Sequence, residues 1–343
     1  MDKITKELVA LEVIKTLKSR FDNFPSDASD NRNAPFHEAF LKAFRLEIEK
    51  YVTNVPIFIS LASWMHGLNT TLGQIFFENI AHILCNGEKR EFKNLKVSRE
   101  QQNVISEIIT NLKNKNAMPS VLEENQKIFE CQGTPEQKIQ NFTADVYYED
   151  DEKIVAIELK TVKPNSGIFK SEKEKMLYAK AALKNIFPNK KVQYFIGFPF
   201  DPLSKEPTSS NKLRFFDYGI DFKKFFDFEE VLLADQLWDF LSQEKGTMES
   251  LLAIINQIAE PDFLQKFDFI NDPKNIDVDI DKYKSIISLW FLYKELDIIE
   301  RFYSVNKSTN KRIKRMLAQN LFDTQNNYKL NRVNILLSND CEL

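Results

Sequence analysis

The stretch that most constrains the fold is residues 143–160, TADVYYEDDEKIVAIELK. Aromatic and β-branched residues stand on both sides of the charged segment EDDEK, a pattern typical of two strands joined by a turn. Side chains alternate across a strand, so Glu158 and Lys160 share one face while Ile157 and Leu159 share the other. The pattern therefore predicts a β-hairpin whose second strand carries an acid and an amine on one side.

The register of this hairpin decides which side chains meet. If the turn is centred between Asp151 and Glu152, Asp145 lies opposite Glu158 on the neighbouring strand. Two carboxylates and the ammonium group of Lys160 then converge on one patch. Convergent carboxylates repel unless a cation lies between them, and hard oxygen ligands suit Mg²⁺. A lysine beside such a metal can orient or help deprotonate a water for attack on phosphorus.

Asp145, twelve intervening residues, and then Glu158-Leu159-Lys160 together resemble the signature of PD-(D/E)xK nucleases. Ala144 stands where the motif name has proline, a residue that contributes backbone geometry rather than chemistry. The resemblance implies that Asp145 and Glu158 hold Mg²⁺ and that Lys160 positions the attacking water. A solvated hairpin with an exposed Glu–Lys pair is the alternative, and the spacing by itself fits both.

Composition narrows the class of protein. The 343 residues are 43% hydrophobic and 28% charged, which is typical of a globular protein with a sizeable core. A net charge of −3 argues against a globally basic nucleic-acid binder, although local patches matter more than the total. The three cysteines lack CxxC spacing, and no apolar run reaches the roughly 18 residues of a membrane span. We therefore expect a reduced, soluble, cytoplasmic protein without structural zinc.

A helix is predicted before the hairpin, with capping residues at 69–71 and a stop at Gly87. Glu78 lies in the middle of its apolar stripe. A surface glutamate is one interpretation. PD-(D/E)xK nucleases, however, often use such a helix to lend a glutamate to the metal site, so the resemblance implies that Glu78 is an accessory catalytic residue. His66 and His82 receive no role.

The segment after the hairpin predicts a helix over residues 171–187, capped by Ser171, and then a buried strand over residues 191–200. Hairpin, helix and strand in this order form a β-β-α-β unit, which is the core of the PD-(D/E)xK fold.

Nine lysines and only two glutamates lie between residues 160 and 191. Lys163, Lys170 and Lys173 are predicted to flank a DNA phosphate held near the metal. A lysine-rich helix is also what an ordinary solvated helix face looks like, so this alternative stays open.

The C-terminal part predicts a helix over residues 283–302 and then a basic cluster containing Arg312 and Arg315. Arginine reads guanine and Asn or Gln reads adenine in the major groove, so we predict that Arg312 and Arg315 bind DNA. A hydrophilic helical bundle without DNA contacts is the alternative.

The predicted fold class is α/β (α+β): a PD-(D/E)xK core with a central mixed sheet flanked by helices, and large helical additions at both ends. We expect an N-terminal helical region over residues 1–62 and a catalytic core over residues 63–262. A C-terminal helical region over residues 263–343 is expected to serve DNA binding or dimerisation.

Four segments, LGQIFFE, TADVYY, IELKTVKPNSG and LWDFLS, resemble the TdeIII-type family of type II restriction endonucleases. The resemblance implies Mg²⁺-dependent cleavage of duplex DNA at a short GC-rich palindrome such as GGNCC, by a homodimer. It also implies a cognate DNA methyltransferase that acts on the same site without binding this protein. Two alternatives stay open: a structure-specific repair or recombination nuclease of the same fold, and a non-catalytic DNA-binding protein with a decayed nuclease core.

Overall fold

The computed structural model describes residues 1–25, 39, 41–52, 55–161, 166–219, 221–303 and 310–338. The chain forms two compact units. One contains Met1 and residues 77–251, and the other contains residues 2–76 and 252–343. The division into three consecutive regions stays a prediction. Among the described residues, no helix has both the length and the apolar character that crossing a membrane requires.

Seven strands form two sheets in the described chain. In chain order they are β1 (Glu88–Phe92), β2 (Lys96–Val97), β3 (Gln137–Lys138), β4 (Phe142–Glu149), β5 (Lys153–Leu159), β6 (Lys191–Phe198) and β7 (Val231–Leu233). The larger sheet has the order β1-β4-β5-β6-β7, and β2 pairs with β3 in the smaller one. The first two pairings of the larger sheet are antiparallel and the last two are parallel.

Helices account for most of the remaining described chain. In chain order they are α1 (Lys3–Asp22), α2 (Arg45–Ile48), α3 (Val55–Thr71), α4 (Phe77–Cys85), α5 (Arg99–Asn114), α6 (Val121–Phe129), α7 (Ser166–Ile186), α8 (Lys212–Tyr218), α9 (Phe222–Phe225), α10 (Asp235–Ser242), α11 (Thr247–Ile258), α12 (Phe263–Asn271), α13 (Asn275–Val278), α14 (Ile280–Leu289), α15 (Tyr293–Tyr303), α16 (Lys311–Leu317) and α17 (Leu330–Leu337). A mixed five-stranded sheet flanked by helices confirms the predicted fold class and is consistent with a PD-(D/E)xK nuclease core.

The β4–β5 hairpin has the predicted register. Val146 pairs with Ile157, and Glu149 pairs with Ile154. The same register places position 145 opposite position 158. Asp150 closes the turn, because its carboxylate accepts hydrogen bonds from two backbone N–H groups of the turn. The turn chemistry therefore fixes which acidic side chains become neighbours at the far end of the hairpin.

The β1–β4 pairing contains a β-bulge. Glu88 pairs with Tyr147, but Arg90 pairs with Ala144, so two residues of β4 stand opposite one residue of β1. Asp145 is one of these two residues. A bulge breaks the ladder of backbone hydrogen bonds locally and redirects a side chain, which is why bulges are frequent beside active sites.

The helix between β5 and β6 begins earlier than the sequence predicted. α7 begins at Ser166, so Ser171 lies inside the helix. Its hydroxyl donates to the carbonyl of Ile168 instead of capping a helix terminus. The predicted cap at Ser171 is therefore wrong, whereas the predicted strand at residues 191–200 is confirmed as β6.

The predicted helix start at residues 69–71 is also wrong. α3 continues through a π-helical segment, Leu72–Phe76, directly into α4. The hydroxyls of Thr70 and Thr71 donate to carbonyls four residues earlier, as they do inside a helix. The predicted stop is close to the observed one, because Gly87 donates to the carbonyl of His82 just after α4 ends.

The predicted helix over residues 283–302 is two helices, α14 and α15. Between them Phe291 has a φ of 59°, a left-handed conformation that a continuous helix excludes. Apolar periodicity runs through both helices and so conceals the break.

A buried ion cluster anchors α7. Lys173 donates to Glu124 at 2.5 Å and also to Glu230, and Lys180 donates to Glu230 at 2.9 Å. Against the effect of burial, the two lysines hold the pKa of Glu230 well below its ordinary value. Burial lowers the pKa of Lys173, but Glu230 and Glu124 outweigh this effect and raise it. The lysines of α7 are therefore not all on a solvated face.

The predicted role of Lys173 in DNA binding is wrong. Its side chain is 0% exposed, and its ammonium group is already bound by two carboxylates. A phosphate cannot reach a group in this position.

Glu230→Gln should lower the free energy of unfolding by about 3–5 kcal/mol, because it leaves the buried ammonium group of Lys180 without its carboxylate and Lys173 with Glu124 alone. Urea denaturation measures the change. Lys245→Met is the matched control, since the Lys245 side chain is 96% exposed beside Asp239 and its loss should cost less than about 1 kcal/mol. Equal effects of the two substitutions would contradict the anchoring role of the cluster.

Candidate active site

The carboxylate of Asp145 is fixed to the backbone of the next strand. Asp145 Oδ2 accepts a hydrogen bond of 2.9 Å from the N–H of Leu159 at the end of β5. This bond satisfies a main-chain donor and places the carboxylate beside the residue that precedes Leu159, which is Glu158. The bulge and this bond together bring the two predicted metal ligands, Asp145 and Glu158, to one end of the hairpin.

His82 holds the main chain of Asp145. Its Nε2 atom lies 2.7 Å from the carbonyl oxygen of Asp145. A carbonyl oxygen only accepts, so the bond requires the proton on Nε2. The His82 ring, carried by α4, therefore satisfies the carbonyl at the bulge.

Glu78 and Asp145 are linked by a lysine. Lys89 Nζ lies 3.0 and 2.9 Å from the two carboxylate oxygens of Glu78 and 3.5 Å from Asp145 Oδ1. The hydrogen bond to Glu78 raises the pKa of Lys89, and Asp145 adds to this effect, although burial opposes it. Glu78 is therefore brought to the site, and the cation between it and Asp145 comes from β1.

Glu158 belongs to a ring of four charged side chains. Lys160 Nζ lies 2.7 Å from Glu158 Oε1 and 2.9 Å from Glu172 Oε1. Lys175 Nζ lies 2.8 Å from Glu158 Oε2 and 2.6 Å from Glu172 Oε2. Each ammonium group thus bridges the same two carboxylates, one of which comes from β5 and the other from α7.

The ring stabilises the charged forms of Lys160 and Glu172. Burial lowers the pKa of Lys160, but Glu158 and Glu172 outweigh this effect and raise it above the ordinary value. Burial raises the pKa of Glu172, but Lys175 and Lys160 outweigh it and lower the pKa. The ammonium group of Lys160 and the carboxylate of Glu172 therefore stabilise each other.

Tyr194 on β6 has a buried hydroxyl with no hydrogen-bond partner among the described residues. Burial raises the pKa of Tyr194 well above its ordinary value, and Glu158, Asp145 and Glu172 raise it further. All three carboxylates therefore act on one hydroxyl. A buried donor without a partner indicates a position for a water molecule or ion.

The donor set fits a divalent cation. Carboxylates are the hard oxygen ligands that Mg²⁺ prefers, and the buried hydroxyl of Tyr194 is a polar group whose partner is absent from the described part of the chain. Within the described ranges, no three His, Cys, Asp or Glu side chains form a group that could hold a metal ion. The cations that neutralise these carboxylates in the structure are the ammonium groups of Lys89, Lys160 and Lys175.

The remaining predicted DNA-binding residues have different locations. Lys163 lies outside the described residues, and Lys170 is a half-buried residue of α7. Arg312 and Arg315 are exposed on α16, which belongs to the other compact unit. Asn310, near these arginines, uses its side chain to cap α16.

Five site residues were not predicted from the sequence. Glu172 and Lys175 are three residues apart, so the sequence alone indicates that they are neighbours on one face of a helix. The sequence gives no comparable indication for the other three, because their partners are distant along the chain. These residues are His82, Lys89, Glu172, Lys175 and Tyr194.

Comparison with known proteins agrees with this geometry. Residues 1–259 match the family model described as HinfI, type II restriction endonuclease. The chain belongs to the HinfI family of type II restriction endonucleases. It is 44% identical over 348 residues to the type II restriction enzyme MjaII of Methanocaldococcus jannaschii, with 95% of this chain and 94% of the relative covered. The predicted enzyme class, a type II site-specific deoxyribonuclease, is thereby confirmed, and the family that matches is HinfI.

His82→Ala should reduce DNA cleavage by about tenfold and lower the free energy of unfolding by about 1–2 kcal/mol, because it leaves the carbonyl of Asp145 without its donor. His66→Ala is the control, since His66 is exposed on α3. Cleavage rates and urea denaturation give the two values. Wild-type cleavage by His82→Ala would show that the ring does not position Asp145.

Proposed function

We propose that the enzyme hydrolyses both strands of duplex DNA at a short GC-rich palindrome such as GGNCC, in a Mg²⁺-dependent reaction. The observation that carries the proposal is the carboxylate of Asp145, which Leu159 holds beside Glu158. The cytoplasm, where such DNA is found, is the proposed place of action.

Asp145 and Glu158 are the proposed metal ligands, with Glu78 as an accessory ligand. When bound, a divalent cation would stabilise negative charge on the phosphorus centre and on the leaving oxygen. The carboxylate of Asp145 is held by Leu159 and lies beside Lys89, and Lys89 is the cation that a metal ion would replace. The three carboxylates come from different elements, so their relative positions depend on the hairpin register and on the bulge.

Lys160 is the proposed residue that positions the attacking water. Its ammonium group donates a hydrogen bond to Glu158 and forms an ion pair with Glu172, so it is held at the site. A protonated amine can only donate, so it orients the water and stabilises the negative charge that develops during attack.

DNA binding is proposed to use cations in both units. Arg312 and Arg315 are exposed, and Lys163 and Lys170 lie just after the catalytic strand in sequence. A palindrome has two-fold symmetry, so a homodimer would present one site to each strand. The proposed cognate methyltransferase would modify the same sequence without binding the enzyme.

Incubation of plasmid DNA with the protein and Mg²⁺, followed by sequencing of the fragment ends, tests the proposal. Discrete fragments with a common terminal GGNCC-type sequence are expected. Asp145→Ala, Glu158→Ala and Lys160→Ala should each lower cleavage by at least about 100-fold while largely preserving DNA binding, because each removes a group that acts on the reacting phosphate. Glu78→Ala should have a smaller effect.

Asp151→Ala is the matched control, since this carboxylate is exposed in the turn of the same hairpin. It should cut at the wild-type rate. Full activity in any of the three site variants would remove that residue from the site, and cleavage restricted to branched DNA would contradict the proposed substrate.

Lys89→Gln should tighten divalent-metal binding by about tenfold, a change of about 1.4 kcal/mol, because it releases Glu78 and Asp145 from a competing cation. Isothermal titration calorimetry with Mn²⁺ measures this change without DNA. Lys93→Gln is the control, since Lys93 pairs with Glu91 rather than with the site. Equal affinities for the two variants would contradict a metal position between Glu78 and Asp145.

A further inference from the structure

We propose that Lys175 is a second active-site lysine, which binds the phosphate at the cut position, and that Glu172 is the positioning residue for both lysines. The inference rests on the proposed function, because it takes Asp145 and Glu158 as the metal ligands. It extends the catalytic group from the hairpin to α7.

Each lysine of the ring contacts one oxygen of each of the two carboxylates. Lys160 contacts the Oε1 atoms of Glu158 and Glu172, and Lys175 contacts their Oε2 atoms. Metal binding would draw at least one oxygen of Glu158 away from its lysine. Glu172 would still hold both ammonium groups, and the freed N–H would then be available to a phosphate oxygen. Glu172 therefore keeps the lysines in place when Glu158 changes its partner.

The charges of the site favour a bound phosphate once a divalent cation is present. Four carboxylates and three ammonium groups leave the site with one net negative charge. A divalent cation would change this to one net positive charge, which matches the single negative charge of a phosphodiester. Without Lys175 the loaded site would be neutral and would attract the phosphate less strongly. The charged groups are Glu78, Asp145, Glu158, Glu172, Lys89, Lys160 and Lys175.

The helix α7, which carries Glu172 and Lys175, is anchored in the protein interior. Lys173 and Lys180 fix one side of the helix in the interior, through Glu124 and Glu230. Glu172, next to Lys173 in sequence, is held at the site by the same anchor. An anchored helix keeps a catalytic side chain within the narrow range of positions that phosphoryl transfer needs.

The side chain of Lys175 is partly exposed to solvent. Glu172 and Lys175 line a cleft of about 500 Å³, together with polar residues of the segment 137–141. The Lys175 side chain is 26% exposed, whereas the Glu158 side chain is 10% exposed. Lys175 therefore lines an open cleft, and this cleft is the side from which the phosphate is proposed to approach.

The test separates cleavage from binding. Single-turnover cleavage is measured with Mg²⁺ on a duplex that the wild type cuts, and binding of the same duplex is measured with Ca²⁺ in place of Mg²⁺. Lys175→Met should slow cleavage by at least 100-fold, and it should weaken binding of the same duplex by only about three- to tenfold, the loss expected for one phosphate contact. Lys175→Arg, which keeps the charge, should recover at least tenfold of the loss in cleavage. Urea denaturation verifies that each variant is folded.

Glu172→Gln should slow cleavage about tenfold with unchanged DNA affinity. In the Lys175→Met background the same change should cost clearly less than tenfold, because one of the two lysines it positions is already absent. A purely structural role predicts equal losses in both backgrounds and no rescue by Lys175→Arg. Glu152→Gln and Lys153→Met, both at the hairpin turn, are the matched controls, and both should cut normally.

The outcomes distinguish this inference from the proposed function. Normal cleavage by Asp145→Ala, or wild-type cleavage without a divalent cation, would overturn the proposed function and this inference with it. Loss of cleavage in Asp145→Ala together with normal cleavage by Lys175→Met would overturn only the role of Lys175.

Discussion

The hydrogen bond from the N–H of Leu159 to the carboxylate of Asp145 is the interaction on which the site depends. Asp145 also lies in the bulge that interrupts the ladder between β1 and β4. Buried main-chain groups need partners, so the side chain satisfies Leu159 and the His82 ring satisfies the Asp145 carbonyl. The position of the proposed catalytic carboxylate thus follows from satisfying the backbone.

The second constraint is electrostatic. Carboxylates crowded at one end of a sheet repel. They are neutralised by one lysine of β1, one that directly follows β5 and one of α7: Lys89, Lys160 and Lys175. Removing a single partner from such a network leaves an uncompensated charge, which costs more than an exposed ion pair would contribute. The same lysines are the groups that a metal ion and a phosphate would rearrange. Stability in the free enzyme and chemistry in the complex therefore use one set of side chains.

Local patterns predicted the centre of the site, and distant contacts did not follow from them. Strand alternation and the turn position were sufficient to place Asp145 opposite Glu158. The lysine excess after β5 indicated charge but not direction, because the partners of Lys173 lie 49 and 57 residues away in sequence. The cap expected at Ser171 failed for a similar reason. A helix start is only a local preference, and packing of α7 extends the helix beyond it.

In the proposed mechanism Asp145 and Glu158 share one divalent cation at the bulge. Anomalous diffraction from crystals of the enzyme grown with Mn²⁺ and a cognate duplex locates that cation. A manganese peak in contact with the carboxylates of Asp145 and Glu158 is expected, with Lys89 displaced from Asp145. A peak away from these two carboxylates, with Lys89 still between Glu78 and Asp145, would contradict it.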